Sequence, residues 1–393
     1  MKQVEVLLRE YEQTMLDHWK WLHAHPELSG QEEKTAAYVA DQLRKMGLEP
    51  KEHVGGFGVT ALIQGGKPGK CLGLRADMDA LPITEATGLP FASQNPGVMH
   101  ACGHDSHTAM LLAAAYVLNQ VKDEICGSIK LIFQPSEETA NDSGAKRMIA
   151  DGVLENPRVD AIIGQHTLPT HPTGMLRVLE GPASAASDRF FITIKGRACH
   201  AAKPQDGVDA IVVGAQVITA LQTIVARSVG PLESCVITIG KVTGGTRYNV
   251  LADTVEMEGT CRNLNPKVRD AVEDRMEQII RGITEAMGAE YEFRYVRCYS
   301  PIINDSAMYR LVRDTAAQLL GEENILPQER AMGGEDFSFY AEKVPGVFYR
   351  VGCHKEGTKI YPAHNERFVI DETALYNGAW VMVESALKFL SQP

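Results

Sequence analysis

The sequence predicts an α/β protein in two parts: a catalytic domain on a mixed β-sheet, interrupted by an inserted ferredoxin-like domain of βαββαβ order. Three observations predict it. Through the first 170 or so residues, short apolar runs of strand length alternate with amphipathic helical segments. From residue 187 the pattern becomes strand–helix–strand–strand–helix–strand up to residue 299, the split βαβ arrangement. After residue 300 the helix–strand alternation resumes, so the chain is expected to return to the first domain. The expected boundaries are therefore 1–186, 187–299 and 300–393, and a chain of 393 residues is too long for one ordinary core.

Each element follows from its own pattern. Residues 1–48 form two helices broken at His25-Pro26 and Ser29-Gly30; the second, Gln31–Met46, carries Ala36, Ala37, Val39, Ala40 and Leu43 on one side and stops at Gly47. Strand-like runs follow at Pro50–Val54, Val59–Gln64 and Cys71–Ala76. The last leads into Arg75-Ala-Asp77-Met-Asp79-Ala-Leu-Pro82. The alanine-rich run Ala109–Leu118 is a helix. Gly127–Gln134 is a strand that enters Pro135-Ser136-Glu137-Glu138, and Asp160–Gly164 another that ends in Gln165-His166. Asp77, the Glu137–Glu138 pair and His166 are thus expected just past the carboxyl ends of buried strands, the edge where open α/β sheets bind ligands.

In the insert, Asp188–Lys195, Ser234–Val242, Thr254–Arg262 and Glu290–Tyr299 are strands, while Gly207–Val229 and Pro266–Met287 are helices. Beyond it come a helix at Ser306–Leu320, the glycine-opened loop Gly333-Gly-Glu335-Asp336-Phe-Ser and a strand at Gly346–Gly352. Pro362-Ala-His364-Asn-Glu366 then precedes a last helix, Glu372–Leu390.

Composition narrows the function. Apolar residues make up 44% and charged residues 23%, values of a soluble globular protein. A formal net charge of −11 argues against a nucleic-acid or membrane-surface binder, which needs basic patches. The start has acidic residues within its apolar stretch and is no secretory signal, and no run approaches the roughly 18 apolar residues of a membrane span. Eight scattered cysteines without a CxxC pair suit reduced thiols, so the expected location is the cytoplasm.

The chemistry centres on Met99–Met110, MHACGHDSHTAM, in the turn entering the alanine-rich helix. Cys102, His104 and His107 fall within six positions, and thiolate and imidazole are favoured ligands of divalent transition metals. Ordinary packing of a buried cysteine is the competing explanation. Glu137, Glu138, His166 and His364 join the candidates. Of two adjacent carboxylates at a strand end, one can ligate a metal while the other faces a water whose pKa the metal lowers.

Taken together, MHACGHDSHTAM, RADMDALP, QPSEE, the strand-end His166, GGEDFS and PAHNE resemble, in order, one metallopeptidase clan over nearly the whole chain. The chain is similar to amidohydrolases of its aminoacylase/carboxypeptidase group: hippurate hydrolases, N-acetyl-diaminopimelate deacetylases and indole-acetyl-amino-acid hydrolases. The resemblance implies hydrolysis of N-acyl amino acids at a two-metal site with Cys102, His104, Glu138, His166 and His364 as ligands and Glu137 as general base and acid. Cys102 is the candidate bridge, and a thiolate leaves the metal open between zinc, manganese, cobalt and nickel. Asp77 matches a carboxylate that orients a ligand; relatives carry a histidine two residues earlier, where this chain has Arg75, which cannot ligate. The resemblance further implies a homodimer through the insert, which acts as a lid. His200 would reach the partner's site to stabilise the oxyanion, and Asn249 and Arg262 would hold the substrate carboxylate. After Asn249 the run Val-Leu-Ala252 lacks the proline many relatives have.

Other residues read more plainly. His23 and His25 are structural, His107 supports the ligands from one helical turn on, and His171 and His354 are loop histidines. Gly55-Gly-Phe-Gly58 lacks the following helix of a phosphate loop, and Cys199 is a small packed thiol. The competing functions are a cysteine hydrolase using Cys102 with His104 or His107, a dipeptidase or carboxypeptidase on the same metals, and a non-catalytic binder of N-acyl amino acids. The presence of Glu137 speaks against the last.

Overall fold

The computed structural model describes residues 2–140, 142–327 and 329–392. The chain divides into two compact units, Met1–Ala183 with Ile303–Glu329 and Asp336–Pro393, and Ser184–Ile302 with Arg330–Glu335.

The first segment opens with α1 (Lys2–Ala24), which buries Val4, Leu8, Met15, Trp19 and Leu22 along one stripe, and α2 (Glu33–Lys45). The carboxylate of Glu27 takes the free N–H groups of Lys34 and Thr35 at the start of α2, at 3.2 and 2.8 Å. β1 (Lys51–Val54), β2 (Gly58–Gln64) and β3 (Lys67–Asp77) precede α3 (His104–Gln120), which is apolar on every side from Ala109 and buried accordingly. Then come β4 (Cys126–Gln134), α4 (Gly144–Ala150), β5 (Ala161–Pro172), β6 (Leu176–Val178) and β7 (Gly181–Ser184).

The second unit runs β8 (Ala186–Lys195), α5 (Ala210–Thr223), β9 (Cys235–Gly244), β10 (Thr254–Asn263), α6 (Pro266–Met287) and β11 (Glu290–Tyr299). Its sheet is antiparallel in the order β11-β8-β10-β9, the split βαβ topology. Asn265 accepts the Lys267 N–H at 2.9 Å to start α6, and Gly288 ends it at φ 72°. Contrary to the sequence expectation, Ala210–Ser228 is long and apolar enough to cross a membrane by length and composition. Here it packs Ala210, Val213, Val217 and Leu221 into the core of this unit and leaves Ile211 and Val212 exposed.

The chain continues through β12 (Ile302–Asn304), α7 (Ser306–Leu320), β13 (Ile325–Pro327), α8 (Ser338–Ala341), β14 (Gly346–His354) and α9 (Thr373–Ser391). The large sheet has the order β1-β2-β4-β3-β5-β14-β6-β13. Its centre is parallel, β4, β3, β5 and β14, with β2 antiparallel on one side and β6 antiparallel on the other. Helices α3 and α9 pack on β3, and α1 packs on both helices.

Register explains how the strand ends meet. Asp77 pairs with Gln134, so β3 and β4 finish level, while pairing of β3 with β5 stops at Arg75–Gly164. The expected end of a strand at Gly164 is corrected: β5 runs on to Pro172, held by β14 through His166–Arg350 and beyond. His166 nevertheless lies at the carboxyl edge of β3, because β5 overshoots its neighbour there. His171 and His354, expected in loops, are in the last residues of β5 and β14.

Candidate metal centre

Three backbone turns bring the donors of the first unit together. Gly103, the residue before α3, has φ 91°, and a Cβ there would sit 2.4 Å from Thr167 Oγ1. Glycine alone satisfies both conditions, and it lets Cys102 precede the helix while His104 begins it. After β4, Ser136 adopts φ 53° and turns the chain into Glu137 and Glu138. His364, at φ 66°, is tied by its N–H to the Ala101 carbonyl at 2.8 Å. Left-handed backbone at non-glycine residues is costly and collects at functional sites.

The donor atoms fall into overlapping sets whose members lie within 4.8 Å of one another: Cys102, His104 and His166; Cys102, Glu138 and His364; His104, Glu137 and Glu138. Cys102 Sγ is 3.3 Å from His166 Nε2, and His364 Nε2 is 3.1 Å from a Glu138 carboxylate oxygen. His166 Nδ1 donates to the Thr167 carbonyl at 2.7 Å, which leaves Nε2 with its lone pair toward the thiol. His107 has no atom to spare. Its Nε2 accepts the Thr167 N–H at 2.9 Å, so Nδ1 carries the proton and donates to Asp77 at 2.6 Å.

Two aspartates from the end of β3 organise this cluster. Asp77 holds His107 and sits 3.8 Å from His104 Nε2. Burial opposes its ionisation, yet His104, Arg75 and His107 hold it well below the usual carboxylate range. Asp79 accepts His104 Nδ1 at 3.3 Å, Ser29 Oγ at 2.7 Å and the N–H groups of Glu137 and Glu138 at 3.0 Å each. Sequence reasoning missed Asp79 as a site residue; its place two residues after Asp77 in RADMDALP was the available signal. Arg75 is wholly buried and bridges Asp77, Gln134 and Asp336.

These residues fit divalent cations. Burial pushes the Cys102 thiol up to about 12, and burial with His107 and Arg350 nearby drives His166 well below 6.5. His104 is pulled the other way: burial opposes its charge, but Asp77, Cys102 and Asp79 raise it well above 6.5. Among the described residues its buried Nε2 has no hydrogen-bond partner. The short Sγ–Nε2 approach and the imidazole nitrogen facing other donors are places a cation would fill, and His104 Nδ1 is already fixed by a carboxylate as ligating histidines usually are.

The second unit carries the other candidates. His200 is exposed and bridges Val250, and the Ala201 N–H donates to the Asn249 carbonyl at 3.1 Å, so His200 and Asn249 are neighbours. The Asn249 side-chain oxygen has no hydrogen-bond partner among the described residues. Arg262 lies on β10 opposite Ser187 and Val236. His23 is buried, held by Asp105 at 2.7 Å and Glu85 at 3.2 Å.

Comparisons with known proteins show the family of the chain. The chain is 40% identical over 385 residues to an N-acetyl-L-cysteine deacetylase of Bacillus subtilis (strain 168), covering 98% of this chain and 90% of that one. It is 45% identical over 303 residues to an N-acyl-L-amino acid amidohydrolase of Geobacillus stearothermophilus, covering 77% and 81%. The crystal structure of the Bacillus subtilis YXEP protein, described as a dinuclear metal-binding peptidase from the M20 family, superposes with a TM-score of 0.86 at 37% identity, covering 98% of this chain and all of that one. Residues 73–388 match the family profile itself, and the chain belongs to peptidase family M20/M25/M40.

Proposed function

We propose that the chain is a metal-dependent amidohydrolase that removes the acyl group from N-acyl amino acids, with two divalent ions drawn from zinc, manganese, cobalt and nickel. One observation carries the reading: Cys102 Sγ is common to two donor sets, and Glu137 belongs to a third that overlaps both. Cys102, His104, His166, Glu138 and His364 would hold the ions, with Cys102 the donor common to the two sets. Divalent ions bound there supply Lewis acidity to a coordinated water and to the scissile carbonyl. Glu137 takes the proton from the water as its oxygen attacks the amide carbon, then delivers that proton to the departing nitrogen as the C–N bond breaks. Asp79 keeps His104 in its ligating orientation, and Asp77 keeps His107 behind the cluster. The names of the deacetylase and amidohydrolase relatives support the substrate class.

In this reading, residues 187–299 form a lid and a homodimer contact. Its edge strand β9 carries exposed Val236 and Val242, and α5 carries exposed Ile211 and Val212, apolar side chains that a second copy would cover. Asn249 and Arg262 hold the substrate carboxylate, and His200 serves the site of the partner. The eight free cysteines suit a reducing compartment such as the cytoplasm.

The test is hydrolysis of a panel of N-acyl amino acids and dipeptides by stripped protein reloaded with each metal, alongside two variants. Glu137→Gln should retain its metals while kcat falls about 10²–10⁴-fold, and KM should move little. Glu138→Gln should bind metal weakly and recover partly with excess. Reversed metal contents would exchange the two roles, and near-normal turnover in both would end the reading.

A further inference from the structure

The loop between α1 and α2, His25-Pro-Glu27-Leu-Ser29-Gly-Gln-Glu32, has no part in the chemistry above, yet it reaches the turn that carries it. We propose that Glu32 is a positioning residue that fixes the backbone of Ser136–Glu138 and so aims the Glu137 carboxylate; this rests on the reading of Glu137 as proton carrier.

Three successive backbone N–H groups after β4 are each captured by a buried carboxylate. The Ser136 N–H donates to Glu32 at 2.8 Å, and those of Glu137 and Glu138 donate to the two oxygens of Asp79 at 3.0 Å each. Ser136 Oγ also donates to Glu32 at 3.2 Å and accepts from Arg147 at 2.9 Å. The same loop steadies the second carboxylate, since Ser29 Oγ donates to Asp79 at 2.7 Å. Leu28 bridges Ala80, and the Ala80 N–H donates to the Glu27 carbonyl at 2.8 Å, so the loop and the Asp79 segment are one piece. Glu32 is fully buried, and it holds the residue whose φ of 53° the turn requires. Without that acceptor, the left-handed conformation has less to sustain it and Ser136 keeps a buried, unsatisfied donor.

The experiment uses full-length, metal-loaded protein and compares variants at equal metal content. Glu32→Ala should lower kcat about 10–100-fold, the loss typical of a misplacement near 1 Å, with KM within about threefold. Glu32→Gln, which keeps a carbonyl acceptor at the same reach, should stay within about threefold of the parent. Glu32→Asp keeps the charge but is one methylene short, and should behave like alanine. In a Glu137→Gln background, Glu32→Ala should cost less than about twofold more, because the group it aims is already disabled. Unchanged kcat in Glu32→Ala, equal losses in alanine and glutamine, or a full further loss in the Glu137→Gln background would each overturn the positioning role. If Glu32→Ala does not fold, the aspartate–glutamine contrast decides it: glutamine the more active supports the role, aspartate equal or better refutes it. A fully active Glu137→Gln enzyme would instead overturn the proton-carrier reading.

Discussion

Replacing Arg75 with methionine removes one guanidinium from a site with no access to water. Its Nη1 donates to Asp77 at 2.7 Å, its Nη2 to Asp336 at 2.8 Å and its Nε to Gln134 at 2.9 Å, and all three charged side chains are 0% exposed. Methionine approximates the volume but leaves both carboxylates without the cation. Asp336 still accepts from Gln134 and Ser143, and Asp77 still holds His107, so the loss is chiefly of charge compensation. Breaking a buried pair from one side costs about 3–5 kcal/mol, against a total stability of about 5–15 kcal/mol. The three tryptophans, Trp19, Trp21 and Trp380, all belong to the first unit, so fluorescence in a urea titration follows that unit alone. Adding Asp336→Asn to Arg75→Met should restore at least about 1 kcal/mol, because one uncompensated carboxylate remains instead of two. A loss below about 1 kcal/mol in Arg75→Met, or strictly additive losses in the double variant, would refute this account.

Three further outcomes are expected. Cys102→Ser should bind fewer than two metals per chain by elemental analysis and lose most activity, and metal should protect the native thiol from alkylation. Stability of the first unit should peak near pH 6.5. His18, buried against Tyr11 and Tyr38, is lowered to about 4, so its share is complete above 6.5 and lost as pH falls toward 4. His23 reaches about 9 because Asp105 and Glu85 outweigh burial, so its share is complete below 6.5 and lost as pH rises through 9. Each limb amounts to about 3 kcal/mol at most, and His23→Gln should flatten the alkaline one in urea titrations across pH. Finally, mixing inactive Glu137→Gln chains with inactive His200→Ala chains should regain some activity once subunits exchange, and Val236→Asp should yield monomers by light scattering. Exchange without regained activity would refute service of the partner's site.

Much of the fold is legible because its elements carry their own punctuation. Asn265-Pro266 and Gly288 bound α6, and Asp305 and Gly321 bound α7, so both ranges follow from the sequence alone. β6 and β13, three residues each, are too short to show a period. The end of β5 was obscured by Pro169 and Pro172, which read as punctuation until pairing with β14 overrides them. Within the site, residues with metal-ligand chemistry stand out in a sequence. Asp79 and Glu32 stand out less: Asp79 offers only its place two residues after Asp77, and the partners the two carboxylates have in common are backbone N–H groups of a distant turn, which no residue type announces.

The position of β14 bears on how the protein is made. It lies between β5 and β6 in the sheet but follows β5 by about 170 residues, with the second unit synthesised in between. At about 5–20 residues per second, a growing chain therefore carries β5 with one bare edge for roughly 10–35 s. Ser184–Ile302 is contiguous and can complete its own four strands during that wait. An open parallel edge lined by Ile162 and Ile163 invites pairing with a neighbouring nascent chain, so aggregation of this protein should arise on the ribosome rather than from the finished molecule.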